Sequence, residues 1–521
     1  MAMSKGNILW IDDEIELLKP HIILLEQRGF KVDQASNGED GIELVKRGQY
    51  DLIFLDETMI GMTGLDTLPI LKDIDPGVKI VMVTKNEAES VMEEAIGKKI
   101  DDYLTKPVNP AQIIAACKKF LETRRIQSEK LSQDYFQGFN EISRRLFEPL
   151  EWEDWTDIYE KLVGWSMELD ANPDLGYEDT LRDQWRECNS EFSKFVEKNY
   201  GDWIEGYTGS PLMSNGVVEH SVFPKLDNGK PTFFFVVDCM RFDQWLTFEE
   251  LLRPYYSFSK EFYSSILPTA TPYARNAIFA GLYPSEIRNR YPDYWLDETN
   301  NEEHKLNAYE KELLWEQIKR KKIKLKGNMH YIKIHDTDFG KKIETNIQNN
   351  LKNHLTAIVI NAVDMIAHSR SDYPILKEIA PDESAYRSLS KSWFMHSSLF
   401  GMLKTLANHD VNIVITTDHG SIRCMRGVKV IGDRNTSTCL RYKFGKNVKA
   451  ESKHAMFIKK PEEYKLPSSS MTINNIIAKE DYYFVYPTEF HHYLQRYRDS
   501  FQHGGISLEE MIIPIIHLER K

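Results

Sequence analysis

Cysteine is scarce in this sequence. The chain of 521 residues has five cysteines, and none of them belongs to a C-x-x-C pair. Scattered cysteines in odd number are typical of proteins from reducing compartments, so a disulfide framework and a thiolate metal site are both disfavoured. We predict that all five are small buried hydrophobic residues: Cys117, Cys188, Cys239, Cys424 and Cys439.

Long apolar runs, net positive charge and internal repeats are also missing. No run approaches the roughly 18 apolar residues of a membrane span, and no apolar signal stretch precedes Asp12 and Asp13. We therefore expect a cytoplasmic protein without a membrane span. The formal net charge of -13 disfavours binding to duplex DNA, which requires a basic face.

The chain does have the length and apolar content for two or three domains. Hydrophobic residues make up 41% of it and charged residues 28%, which is ordinary for a folded globular protein. Short apolar runs alternate with helical segments up to Glu122, helical spacing dominates next, and buried-strand runs return after Gly206. We predict an α/β domain at 1–123, a helical connector at 124–205 and a larger α/β domain at 206–521.

Apolar runs predict the strands of both α/β domains. In the first domain they lie at 7–11, 31–35, 51–56, 79–84 and 102–106, which is a (βα)5 pattern. In the larger domain they lie at 231–237, 356–363, 411–417, 481–486 and 511–518. Ligand sites of open parallel sheets lie at the carboxyl ends of the strands, so side chains that follow these runs are the functional candidates.

The connector is rich in tryptophan. Its helical spacing predicts a small bundle, in which an aromatic stripe is more often a core than a surface for stacking bases. We therefore predict core positions for its tryptophans and for one at its end: Trp152, Trp155, Trp165, Trp185 and Trp203.

Acidic, hydroxyl and ammonium groups follow the strands of the first domain. The acidic pair Asp12 and Asp13 follows the first strand, Asp56 ends the third, and Thr84 and Lys106 end the fourth and fifth. Because the carboxyl ends of parallel strands meet at one edge, these groups are expected to converge. The set resembles that of a receiver domain.

The resemblance to receiver domains implies a role for each residue. Asp56 would accept a phosphoryl group, and the acidic pair with Asp56 would hold Mg²⁺, which prefers oxygen ligands. Thr84 and Lys106 would contact the phosphoryl oxygens, and Tyr103 would be the switch aromatic. The implied partner is a sensor histidine kinase.

A second group of ligand-type side chains is spread over the larger domain. It contains carboxylates at strand ends and histidines, and two of its members are spaced four residues apart, which places them on one face of a helical turn. Its members are Asp238, the spaced pair Asp364 and His368, the adjacent Asp418 and His419, and His503.

A threonine supplies a candidate nucleophile. Thr271 precedes Pro272, which is well placed in the first turn of a helix. One interpretation is that Thr271 serves solely as the cap of that helix. The other is that it attacks phosphorus at the positive helix end, where phosphate is favoured. We favour the second interpretation, in which Thr271 is the nucleophile. Thr269, two residues earlier, is the alternative nucleophile.

The ordered set resembles the alkaline-phosphatase superfamily. Two segments resemble its PglZ branch, Val-Val-Asp-Cys-Met-Arg-Phe-Asp at 236–243 and His-Gly-Gly-Ile-Ser-Leu-Glu-Glu-Met at 503–511. The resemblance implies two Zn²⁺ ions, with Mn²⁺ as the alternative, and in-line displacement through a phosphothreonine. One ion would be held by Asp238, Thr271, Asp418 and His419, and the other by Asp364, His368 and His503.

Nearly the whole chain resembles the PorX regulators, which combine a receiver domain, a connector and a PglZ domain. That family implies homodimerisation on phosphorylation and phosphodiesterase action on cyclic or linear oligonucleotides. It further implies a role in type IX secretion and an extracytoplasmic-function sigma factor as a partner.

Other interpretations stay open at this level. The larger domain could act through switched protein contacts with little catalysis, although the intact ligands argue against decay. Monoesterase, diesterase and mutase-like chemistries share these ligands. A transcription-factor output would need a helix-turn-helix and a basic face, and it is disfavoured.

Some basic residues are weaker candidates for phosphate contacts. Arg241, Arg275 and His354 could each contact phosphate or serve structural pairing. The lysine-rich run at 319–326 could meet a nucleotide phosphate, but a solvated helix end explains it more simply.

Overall fold

A computed structural model describes residues 5–85, 100–296, 305–372, 374–432, 439–468 and 473–521 of the protein. Side chains are described within these ranges except at 122–127, 368–372, 374 and 376. The chain divides into two compact units, Met1–Gln137 and Gly138–Lys521.

The first unit contains a parallel five-stranded sheet. Its strands are β1 (Asn7–Ile11), β2 (Lys31–Ala35), β3 (Leu52–Asp56), β4 (Lys79–Thr84) and β5 (Asp102–Thr105). The helices are α1 (Lys19–Gln27), α2 (Gly38–Arg47), α3 (Gly64–Ile74) and α4 (Pro110–Cys117). The strand order is β2-β1-β3-β4-β5, and the predicted (βα)5 fold class is confirmed. The helix expected between β4 and β5 falls on 86–99, outside the described residues.

Both faces of this sheet are buried, as in other parallel sheets covered by helices. Alternate residues of a strand point to opposite faces. Trp10 and Phe54 belong to one apolar cluster, and Leu9 and Ile53 belong to the other. In the inner strands β1, β3 and β4 polar side chains stand only at the strand ends, whereas the edge strand β2 also carries Asp33 and Gln34 in its middle.

The helical stretch after the sheet is continuous. Helix α4 passes through a π-helical turn at Lys118–Glu122 into α5 (Thr123–Arg145). The predicted boundary at residue 123 falls within this stretch, whereas the compact units divide at Gln137. The domain boundaries therefore stay a prediction.

The second unit includes two long connector helices, α6 (Trp152–Ala171) and α7 (Glu178–Glu205). Trp155 packs edge-on against Phe192, and Trp152 packs in the same way against Trp203. These three tryptophans are buried, so the core interpretation is confirmed for them. Trp165 and Trp185 are half-buried.

The rest of the second unit is α/β. Its strands are β6 (Thr232–Val237), β7 (Tyr256–Ser264), β8 (Met329–Ile334), β9 (Leu355–Ile360), β10 (Asn412–Thr416), β11 (Ile422–Cys424), β12 (Arg426–Lys429), β13 (Tyr442–Lys446), β14 (Ala455–Ile458), β15 (Ile473–Ala478), β16 (Tyr482–Val485), β17 (Ser500–Gln502) and β18 (Ile512–Arg520). Its helices are α8 (Phe223–Leu226), α9 (Phe242–Leu252), α10 (Thr271–Ala280), α11 (Pro284–Arg290), α12 (Glu310–Arg320), α13 (Thr337–Thr345), α14 (Ala362–Asp372), α15 (Pro374–Ile379), α16 (Glu383–His396), α17 (Ser398–Leu406), α18 (Phe490–Tyr497) and α19 (Leu508–Met511).

A six-stranded mixed sheet with order β7-β18-β10-β6-β9-β8 organises this part. The four strands β10, β6, β9 and β8 are parallel, whereas β18 runs antiparallel to both β10 and β7. The carboxyl ends of the four parallel strands therefore share one edge.

Smaller sheets pair β11 with β17, β12 with β16, and β15 with β13 and β14. The run predicted at 481–486 forms β16 in one of these small sheets rather than a strand of the central sheet. The run predicted at 356–363 ends as a strand at Ile360, and helix α14 begins at Ala362.

Candidate metal and phosphoryl-transfer sites

The acidic residues of the first unit meet at the carboxyl ends of β1 and β3. Ligand atoms of Asp12, Asp13 and Asp56 all lie within 4.8 Å of one another. The Nζ of Lys106 lies 2.9 Å from Oδ2 of Asp12 and 3.0 Å from Oδ1 of Asp56. The structure thus brings these four predicted residues together.

The electrostatics of this cluster suit a hard cation. Burial raises the pKa of Asp56 to about 6, and repulsion from Asp12 adds to this rise. The hydrogen bond and the charge of Lys106 lower the pKa and offset only part of it. Burial alone would lower the pKa of Lys106, but its hydrogen bonds to Asp12 and Asp56 raise it. An all-oxygen set of three carboxylates fits Mg²⁺.

The remaining predicted receiver residues flank this cluster. The Thr84 hydroxyl is buried at the end of β4 and donates to Glu57, the residue after Asp56. Tyr103 lies in β5 with 42% of its surface exposed. A switch role for Thr84 and Tyr103 stays a prediction.

Two neighbouring parallel strands deliver ligands in the second unit. The register pairs Thr416 of β10 with Val236 of β6, so the residues that follow both strands reach the same edge. Their ligand atoms lie within 4.8 Å of one another and all three side chains are buried: Asp238, Asp418 and His419.

The backbone turns sharply at this edge. Cys239 has a φ of +63°, which is rare for a residue with a side chain and concentrates at functional sites. Its N–H donates to Oδ1 of Asp418 at 3.4 Å. A Cβ on Gly420 would lie 1.9 Å from the Glu509 carbonyl oxygen, so only glycine fits after His419.

Thr271 faces this cluster. Its Oγ lies 3.0 Å from Nε2 of His419 and 3.4 Å from Oδ1 of Asp238. Ala270 is the N-cap of α10 and Thr271 is its first helical residue, so the alternative in which Thr271 caps the helix is wrong. The Thr269 hydroxyl instead donates to the Gly505 carbonyl at 2.8 Å.

The second predicted metal set lies beside the first. Asp364 is in the first turn of α14, and its Oδ1 lies 3.6 Å from Nε2 of His503. The rings of His503 and His419 stack with centroids 4.2 Å apart. His368 lies one turn further along α14, but its side chain is outside the described residues.

The buried carboxylates of this cluster are short of positive charge, which a divalent metal would supply. Burial raises the pKa of Asp238 to about 8 and also raises that of Asp418, with Arg275 opposing both shifts. Burial lowers the pKa of His419, which favours the neutral imidazole that ligates metals. Oδ2 of Asp418 is buried and accepts no hydrogen bond within the described part of the chain. Mixed imidazole and carboxylate donors suit Zn²⁺, and Mn²⁺ is also compatible.

The basic side chains that were candidates for phosphate contacts interact with other groups of the protein. Arg241 pairs with Asp243 and Glu383 at 2.5 Å. Arg275 lies behind the carboxylates and is 2% exposed. His354 precedes β9, at the end of that strand remote from the ligands, and accepts from the Lys326 N–H at 3.0 Å.

Sequence reasoning missed two polar residues behind the ligands, one buried and one half-buried. Glu310 is fully buried with its Oε1 2.8 Å from Nε of Arg275, and Asn361 accepts from Nη1 of Arg275 at 3.1 Å. Asn361 directly follows the apolar run of β9, which is a signal that could have identified it. Glu310 stands among charged residues of α12 and carries no such signal.

Three family models match the chain in consecutive regions. Residues 8–118 match the response regulator receiver domain, and residues 125–204 match the PorX response regulator linker domain. Residues 217–518, more than half of the chain, match the BREX system PglZ alkaline phosphatase-like domain.

Relatives among curated proteins are similar over a limited segment. The alginate biosynthesis transcriptional regulatory protein AlgB of Pseudomonas syringae pv. tomato is 34% identical over 125 residues, which is 24% of this chain and 28% of that protein. The uncharacterized transcriptional regulatory protein YkoG of Bacillus subtilis is 28% identical over 131 residues, 25% of this chain and 57% of that protein.

Two solved structures that resemble this chain match less than a quarter of its length. A CheY-like response regulator receiver domain protein from Methanospirillum hungatei is 26% identical, covering 23% of this chain and 97% of that chain with a TM-score of 0.22. A two-component response regulator from Clostridium difficile is 28% identical, covering 22% and 95% with a TM-score of 0.22.

The folds and the matched regions together define a response regulator that carries an alkaline phosphatase-like domain. The chain belongs to the PglZ family, and its receiver, linker and PglZ regions follow in the order of a PorX-like response regulator. A receiver domain implies a histidine kinase as partner. Among the described helices, none is both long and apolar enough to cross a membrane.

Proposed function

We propose that this protein is a response regulator whose PglZ domain is a zinc-dependent phosphodiesterase with Thr271 as its nucleophile. The substrates are cyclic or linear oligonucleotides, and the regulated process is type IX secretion. The observation that carries the catalytic proposal is the position of the Thr271 hydroxyl, 3.0 Å from His419 and 3.4 Å from Asp238.

Residues of the chain supply two parts of this chemistry. Asp238, Asp418 and His419 would hold one metal, and a metal there would supply positive charge that lowers the pKa of the threonine hydroxyl. Thr271 stands at the positive end of α10, which favours an approaching phosphate.

The covalent step is a displacement at phosphorus. The Oγ of Thr271 loses its proton and forms a bond to phosphorus, while the bond from phosphorus to the leaving oxygen breaks and that oxygen takes up a proton to leave as an alcohol. Water then forms a bond to phosphorus while the bond to the threonine oxygen breaks, which releases a phosphomonoester and returns a proton to Oγ of Thr271.

Hydrolysis of bis(p-nitrophenyl) phosphate beside p-nitrophenyl phosphate tests the proposal, with zinc content measured for every variant. Thr271→Val keeps the side-chain shape, and we expect it to lose diesterase activity at least about 10³-fold while retaining zinc. Thr271→Ser keeps a hydroxyl and should retain measurable activity.

Thr269→Val is the matched comparison, because it removes the other hydroxyl two residues away. Activity that survives in Thr271→Val and disappears in zinc-loaded Thr269→Val would make Thr269 the nucleophile. Zinc-loaded wild type that hydrolyses neither ester favours the alternative function, in which the domain acts by switched contacts with a protein such as a sigma factor.

The input is proposed to be phosphorylation of Asp56 by the sensor kinase, which shifts a conformational equilibrium toward a homodimer. The convergence of Asp12, Asp13, Asp56 and Lys106 supports this role. Sedimentation and turnover with and without a beryllofluoride adduct test it, with Asp56→Asn as the control. An adduct that changes neither oligomeric state nor partner affinity nor turnover contradicts it.

A further inference from the structure

The guanidinium of Arg275 is enclosed by acidic and amide oxygens behind the candidate metal ligands. Nη1 lies 3.0 Å from Oδ2 of Asp238 and 3.1 Å from Oδ1 of Asn361. Nε lies 2.8 Å from Oε1 of Glu310 and 3.7 Å from Oδ2 of Asp418. With only 2% of its surface exposed, this arginine is directed at the ligands and not at solvent.

The two oxygens of Asp238 face different groups. Oδ1 faces the Thr271 hydroxyl and lies 3.9 Å from Nε2 of His419, whereas Oδ2 faces Arg275. One oxygen is thereby directed into the ligand cluster and the other is held by the guanidinium. A planar guanidinium offers fixed donors in several directions at once, which the point charge of a lysine does not.

Glu310 holds Arg275 from the other side and extends the network. Its Oε2 lies 3.1 Å from Nζ of Lys333 and accepts from the Tyr331 hydroxyl. Lys333 also donates to the Asn307 carbonyl at 3.0 Å, and the Asn307 amide donates to the Thr271 carbonyl at 3.0 Å. The network thus reaches the backbone of the proposed nucleophile.

The charges of this network leave a place for a cation. The carboxylates of Asp238, Asp418 and Glu310 face the cations Arg275 and Lys333, so these five groups carry a net charge of -1 when ionised. Isolated buried carboxylates are strongly unfavourable, and Arg275 partly compensates them without using the side of Asp238 that faces Thr271.

We propose that Arg275 is a positioning residue that orients the carboxylate of Asp238, attracts that of Asp418 and so sets the metal affinity of that site, with Glu310 holding Arg275 in place. This inference rests on the proposed metal site but not on any particular substrate. Arg275 acts through the ligands and does not contact the phosphate.

Zinc affinity, measured by competition with a chromophoric chelator on the full chain, tests the proposal directly. Partners of metal ligands typically contribute 10- to 100-fold in affinity. We expect Arg275→Gln to raise the Zn²⁺ dissociation constant by about that factor and to alter the visible spectrum of Co²⁺-loaded protein. Arg275→Lys should recover part of the affinity.

Kinetics at saturating zinc separate positioning from phosphate binding. A positioning residue leaves KM for the diester within about twofold while kcat falls, whereas a phosphate contact raises KM. Zinc affinity within twofold of wild type in Arg275→Gln, or an elevated KM with unchanged zinc affinity, overturns the proposal.

Two further variants guard against a folding defect. Glu310→Gln leaves Arg275 present and is expected to weaken zinc binding less than Arg275→Gln does. Arg320→Gln is the matched control. Arg320 belongs to α12 and donates to the Ala280 and Gly281 carbonyls at the C-terminal end of α10, the helix that carries Arg275. Zinc affinity lost equally in Arg320→Gln would make the effect a general loss of α10 stability and overturn the proposal.

Failure of the proposed catalysis is distinguishable from failure of this inference. Wild type that binds zinc but hydrolyses no ester contradicts the phosphodiesterase and leaves the affinity comparison intact. An active wild type whose affinity is unchanged in Arg275→Gln contradicts the positioning role alone.

Discussion

The two units gather carboxylates around a basic side chain in opposite ways. In the first unit, Lys106 contacts Asp12 and Asp56 directly, and its side chain is 11% exposed. In the second unit, Arg275 contacts Asp238 from behind and is 2% exposed. Lys106 therefore has some access to solvent beside its cluster, whereas Arg275 is enclosed behind its cluster.

This difference matches two kinds of chemistry. A flexible lysine ammonium can move from carboxylates to an incoming phosphoryl group, because it is a point charge on a long stem. A guanidinium with four oxygen neighbours cannot turn away without leaving buried carboxylates unpaired. The first cluster therefore suits a transient Mg²⁺ and phosphoryl group, whereas the second suits a retained metal.

The largest expected effect comes from removing a ligand in the second unit. Asp418→Asn keeps the side-chain shape but removes a buried charge, and we expect zinc content and diesterase activity to fall at least about 100-fold. Phosphorylation of Asp56 by a phosphodonor such as acetyl phosphate should be unaffected. Metal analysis and Phos-tag electrophoresis measure the two outcomes.

Asp56→Asn is the reciprocal control, expected to abolish phosphorylation and to leave zinc content unchanged. If Asp418→Asn also abolished phosphorylation, or if Asp56→Asn released zinc, the two clusters would not be independent sites.

A smaller effect is expected at Lys106. Lys106→Met leaves the buried Asp12 and Asp56 without their shared counter-charge, so unfolding of the first unit in EDTA should become easier by about 2 kcal/mol. Mg²⁺ should restore much of that loss by binding the folded state. Calorimetry in EDTA and in Mg²⁺ measures this, and Lys106→Arg is the charge-retaining control. An equal loss in both conditions would mean that Lys106 acts through packing.

The first cluster was predictable from the sequence because its residues directly follow apolar strands. Asp56 and Thr84 end such strands, and Lys106 follows β5, which is shorter and more exposed. In a parallel sheet that position alone brings side chains together. The central ligands of the second unit, Asp238 and Asp418, follow the same rule.

The surroundings of the second cluster were not predictable in this way. Glu310 begins a helix of mixed charge, and only the tertiary fold buries it against Arg275 and Lys333. Thr271 also shows the limit, since local chemistry favours it as a helix cap whereas the fold makes Ala270 the cap. Periodicity identifies which side chains reach an edge, but it does not identify the partners that meet them there.

The smallest expected effect concerns a carboxylate whose hydrogen-bond donor is a neutral amide. Asn189 of α7 donates to Oε2 of Glu509 at 3.0 Å, and burial raises the pKa of Glu509 to about 7. Because the folded carboxyl binds its proton more tightly than the unfolded one, whose pKa is about 4.3, its contribution to stability is greatest at low pH. That contribution is lost as pH rises from about 4.3 to 7.

Glu509→Gln removes this titration and keeps an oxygen for the Asn189 amide. We expect the difference in stability between variant and wild type to shift in favour of the variant by about 1–2 kcal/mol as the pH is raised from about 5 to about 8. The Tm of the second unit, determined at both pH values, measures this shift. Glu510→Gln, which breaks the buried pair with Arg441, is the neighbouring control and should be destabilising at both pH values. A stability difference for Glu509→Gln that stays constant with pH would mean that the folded carboxyl keeps a pKa close to its unfolded value.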